Sequence, residues 1–108
     1  MDEAQKKAQD KAFYTAADQF IDVANKACDN REASFVGSAM LFATARFSAF
    51  VVASQAQNKE AYEAELERAS EFFNKEFERM LKQNMEDYKT AFSQQDEARY
   101  EHLMKKDE

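Results

Sequence analysis

The chain has 108 residues, enough for one domain with a modest core, and a formal net charge of −6. It has no proline and one glycine, Gly37, which argues against turn-rich strand folds and against glycine-rich phosphate or dinucleotide loops. The acidic excess lies toward the C-terminus, with 14 Asp/Glu against 9 Lys/Arg from Asn58 onward; without a basic stripe to offset it, nucleic acid and anionic membrane surfaces are poor partners.

The opening residues, MDEAQKKAQDKAF, are hydrophilic and lack the apolar run of a secretory signal, so the cytoplasm is the expected location. The first helix is predicted over 10–28. Phe13, Ala17, Phe20, Ala24 and Ala27 recur at three- and four-residue spacing and draw one apolar stripe. Asp10 has the chemistry of its N-cap. Cys28 is the single cysteine, which excludes an intramolecular disulfide and cysteine-cluster metal sites; its ordinary role is that of a small hydrophobe. The connector DNRE follows, with Asp29 and Glu32 at capping-box spacing for the next helix.

The second helix is predicted over 33–57 and is apolar on nearly every side, as a central helix would be. From Val36 to Ala53 the only charge is Arg46. That length suffices for a membrane span. Against a span stand the mid-helix arginine, which costs roughly 2.5–3.5 kcal/mol on insertion scales, the many small residues, and flanks without clustered positive charge. Arg46 has Phe42 and Phe50 one turn away on either side, so its stem can pack there and its guanidinium can lie on a ring. If buried, it needs an anion. Folding the neighbouring helices back antiparallel brings Asp18 and Glu65 level with it. The three residues form a candidate structural ion pair that fixes helix register. The alternatives are an anchor for a ligand carboxylate or phosphate, and an arginine that snorkels to water.

The third helix is predicted over 59–93, with Asn58 as N-cap and Glu60 in its first turn. Tyr62, Leu66, Ala69, Phe73, Phe77, Met80 and Leu81 make its stripe, and Met85, Tyr88 and Phe92 continue it. At 1.5 Å per residue this helix is about 50 Å long against roughly 38 Å for the second. It therefore overhangs its neighbour beyond residue 82. Met85, Tyr88 and Phe92 form a candidate self-association surface, most simply in a two-fold dimer; the alternative is a monomer whose N-terminal segment covers them. The carboxylates Glu60, Glu63, Glu65, Glu67, Glu71, Glu76 and Glu78 alternate with basic residues. Glu71–Lys75 and Glu78–Lys82 have pairing distance on a solvated face. Glu76, Asn84 and Asp87 lie nearer the stripe. A frayed helical tail is predicted over 95–108.

No catalytic, cofactor or metal motif emerges. His102 is the only histidine, and the residue three before it is Arg99, so the Glu-x-x-His pairs of a di-iron bundle are missing. A Cys–His pair would have to join residues 28 and 102. The ten phenylalanines fill a bundle core more naturally than they line a pocket.

Three stretches carry a family resemblance: FYTAADQFIDVANK from Phe13, FATARFSAFVVAS from Phe42 and FFNKEFERMLKQNMEDYKTAF from Phe72. They resemble the small bacterial proteins grouped as domain-of-unknown-function 3144. ARFSAFV around Arg46 and NMEDY from Asn84 to Tyr88 are the most specific parts. The resemblance spans about Phe13 to Phe92. It implies a small helical domain in a bacterial cytoplasm and carries over no catalytic residue, because the family has no assigned activity.

The expectation is an all-α antiparallel three-helix bundle in a single domain, 1–108, with a long third helix and a homodimeric assembly. Its expected function is a non-enzymatic protein-interaction or scaffold module, without cofactor, nucleic acid or membrane. The alternative is a binder of a small apolar or acidic ligand held between helices by Arg46.

Overall fold

The computed structural model describes residues 1–93, and they form an all-α fold of three helices: α1 (Glu3–Ala27), α2 (Ala33–Gln55) and α3 (Lys59–Ser93). The predicted tail, with Tyr100, His102, Leu103 and Met104, lies outside the described residues.

The boundaries follow from capping chemistry. α1 begins seven residues before the predicted start. Asp2 accepts the Gln5 amide at 2.8 Å through its carboxylate, and its own N–H donates to Gln5 Oε1 at 3.0 Å. This reciprocal box satisfies two donors that a helix start otherwise leaves unpaired. Asp10 is thus an interior residue, not a cap. Residues 3–12 wind because Ala, Gln, Lys and Glu are strong helix formers, although they lack the apolar stripe that begins at Phe13.

α1 closes at Cys28, whose N–H donates to the carbonyls of Ala24 and Asn25, both at 3.1 Å. The capping box expected from Asp29 and Glu32 is not how α2 starts. The helix begins at Ala33, so Glu32 holds the cap position and its carbonyl accepts from Val36 N–H at 3.1 Å. α2 stops at Gln55, two residues short of the expected end, because the chain turns to place Asn58 at the head of α3. Asn58 Oδ1 accepts the Ala61 amide at 2.8 Å, as a side-chain cap should.

The chain divides into two compact units, Met1–Arg46 and Phe47–Glu108. The boundary falls inside α2, which is one continuous helix and contributes its first half to one unit and its second half to the other. In the first unit, partial burial gathers where the chain turns: Ala24, Asn25, Ala27 and Cys28 are half-buried, and Val36 is buried. Val51, Val52, Ala56 and Tyr62 mark the corresponding turn in the second. Among the described residues only Val36 and Ala91 are buried. A chain of this size normally hides well over half of its unfolded surface.

Candidate self-association surface

α2 is where exposure is most costly. Its large apolar side chains Phe35, Phe42, Phe47 and Phe50 are each between 61% and 66% exposed. Its exposure is not uniform around the axis, however. Val36, Met40, Ser48, Val51 and Val52 are buried or half-buried. At about 100° per residue these five share one side of the helix, though Gly37, Leu41, Thr44 and Phe47 lie among them and are exposed. Phe35, Ala39, Phe42, Arg46, Ala49, Phe50 and Ala53 are all exposed and share the opposite side.

Arg46 therefore stands on the open face of α2, in line with Phe42 and Phe50. Asp18 and Glu65 are exposed as well. Each of the three candidate ion-pair residues is exposed in the single chain, so a buried pair is not a property of one copy. Arg79–Glu76, Lys82–Glu78 and Lys89–Glu86 form ion pairs internal to α3. The second is one of the two pairs expected from spacing; Glu71 and Lys75 are not paired with each other.

α3 carries its polar groups on its own turns. Arg79 grips Glu76 in a fork, with Nη2 at 2.9 Å from Oε1 and Nε at 3.3 Å from Oε2. This hydrogen bond holds the Glu76 carboxyl below its ordinary value, against the opposing effect of desolvation and with a lesser contribution from the guanidinium charge. The Lys82 ammonium does the same for Glu78. Asn84 Nδ2 donates to the Met80 carbonyl at 2.8 Å, and Asp87 Oδ1 accepts from Gln83 Nε2 at 3.3 Å. The three polar residues nearest the stripe, Glu76, Asn84 and Asp87, thus each bond within the helix. On the overhang, Met85 is 56% and Phe92 61% exposed, and Tyr88 is half-buried.

Among the described residues no cluster of three or more His, Cys, Asp or Glu is placed to hold a metal ion. Two shallow surface hollows, one lined by Arg31, Glu32 and Phe35 and one by Lys75, Glu78, Arg79 and Lys82, are open to solvent, and neither includes Arg46. α2 is long and apolar enough, by length and composition, to cross a membrane.

Three long helices with so little apolar surface buried among the described residues define a class: small all-α proteins with exposed hydrophobic faces. Residues 13–89 match the family described as a protein of unknown function, DUF3144, and the chain belongs to that family. No curated protein and no solved structure is detectably similar to it.

Proposed function

We propose that this protein is a non-enzymatic, self-associating helical module, a homodimer that serves as an interaction scaffold. One observation carries the reading: large apolar side chains stand exposed on all three helices, with two small residues as the buried core among the described residues. Exposed patches of this kind mark protein or membrane interaction sites. Arg46 favours a protein partner over lipid, because a guanidinium at the middle of a span is costly to insert but in a helix interface can lie on a ring and keep its outer edge in water. The acidic surface of α3, satisfied by its own ion pairs, suits the solvated outside of such an assembly.

Sedimentation equilibrium of the protein purified without detergent tests this. The expected result is a dimer mass that holds upon dilution to low micromolar concentration. A monomer mass, or a protein that leaves the membrane fraction only with detergent, overturns the proposal.

A further inference from the structure

The open face of α2 carries a pattern that selects one partner and one orientation. Phe35, Ala39, Phe42, Arg46, Ala49 and Ala53 follow one another at intervals of four, three, four, three and four. This is the spacing of a coiled-coil seam. All six are exposed, opposite the side of α2 that holds its five buried or half-buried residues. Within the seam large and small alternate asymmetrically: both phenylalanines lie in the N-terminal half, while the C-terminal half holds two alanines and the arginine.

A second copy laid antiparallel, with the two-fold axis level with residue 44, matches this seam to itself. Phe35 then faces the second copy's Ala53, Ala39 faces its Ala49, and Phe42 faces its Arg46. Phe35 then meets a small residue, no phenylalanine meets a phenylalanine, and each guanidinium meets a ring. A parallel copy in register would set Phe35 on Phe35, Phe42 on Phe42 and Arg46 on Arg46, stacking bulk on bulk and charge on charge. We infer that α2 pairs antiparallel with α2 of a second copy along this seam, with Arg46 of each chain lying on Phe42 of the other.

Three phenylalanines per chain on or beside the seam, Phe35, Phe42 and Phe50, are each nearly two-thirds exposed. From the area an aromatic side chain buries, they offer roughly 300–450 Å², a large part of the about 800 Å² per partner that a stable interface takes. Arg46 needs no buried carboxylate here. Its stem covers apolar surface, its charge sits over the ring face, and its outer edge keeps water.

The inference rests on the proposed self-association but fails separately from it. In a Cys28→Ala background, Ala39→Cys and Ala49→Cys are made singly and together, then oxidised. The expected result is a covalent dimer from the double variant alone. Residues 39 and 49 of one helix are about 15 Å apart along the axis, as are like residues of antiparallel partners, too far for a disulfide. Covalent dimers from the single variants would mean parallel pairing and overturn the inference. No cross-link in a protein whose mass is dimeric overturns this seam and leaves self-association standing. A monomer mass overturns both.

A second variant pair guards against a cysteine variant that misfolds. Phe42→Arg should weaken the dimer at least about tenfold, by placing guanidinium against guanidinium and losing two ring contacts. Adding Arg46→Phe restores a ring opposite each arginine and should bring the dissociation constant back to within about threefold of the parent. A double variant as weak as Phe42→Arg overturns the inference.

Discussion

α2 and α3 are both long and both hold apolar side chains in the open, but they differ in what lies between those side chains. On α3 the intervals are filled by Glu, Arg and Lys that bond to each other three or four residues apart. α3 thus has a wet side. α2 has one charge in 23 residues and no polar side to turn outward. Two of its hydroxyls bond its own backbone, Thr44 donating to the Met40 carbonyl and Ser54 to that of Val51. Under the proposed self-association, the comparison teaches where the assembly closes: a helix with a solvated face can border it, whereas a helix without one belongs inside it.

The sharpest way to break that comparison is to place the same charge on each helix. Phe35→Glu on α2 should cost the dimer about a hundredfold or more in affinity, the scale of an interface hot spot. Phe72→Glu, on the flank of the α3 stripe and 59% exposed, should change affinity only a few-fold, as surface substitutions do. Sedimentation of the two variants side by side decides it. Equal losses would remove the distinction between inner and outer helix.

A smaller effect is expected where α3 begins. Asn58→Ala removes the side-chain acceptor for the Ala61 amide and should cost about 1 kcal/mol, read from urea denaturation at fixed protein concentration. An unchanged midpoint would mean that the first turn of α3 is held by packing and not by its cap.

The smallest effect concerns the wet side itself. Glu76 and Glu78 are both held below 4.5 by hydrogen bonds and charge from Arg79 and Lys82. A carboxylate lowered in the folded state adds stability above its unfolded value, and that stability is lost as the pH falls through the folded one. The contribution of these pairs is therefore full near neutrality and fades below about pH 4.5. Carboxyl titration by NMR should give midpoints under 4.5 for both, with Glu76 returning to its ordinary range in Arg79→Ala. Ordinary midpoints in the parent protein would mean that the pairs are not populated in solution.

The helices were legible where an apolar stripe or a cap marked them. Asn58 announced α3, and the stripe from Tyr62 to Leu81 carried it onward. The start of α1 was hidden because residues 3–12 wind on propensity alone, and Asp10 has the same capping chemistry as Asp2, the residue that performs it. The covered and open sides of α2 could not be told apart by hydropathy, since both are apolar. The interval pattern from Phe35 to Ala53 was present in the chain, but only the burial of Val36 and the half-burial of Met40, Val51 and Val52 show which side is left free. Arg46 looked like a buried charge in search of a carboxylate because α2 read as wrapped on all sides. With its face open, exposure makes no such demand.

Burial at the two turns has a kinetic consequence. Contacts near a turn join residues close in sequence, and such local structure forms within microseconds. No proline is present to add a slow isomerisation step. Under the proposed self-association, the slow step in reaching the final packing is the encounter with a second copy. Refolding should then quicken in proportion to protein concentration, and the amount synthesised would set how quickly the protein matures.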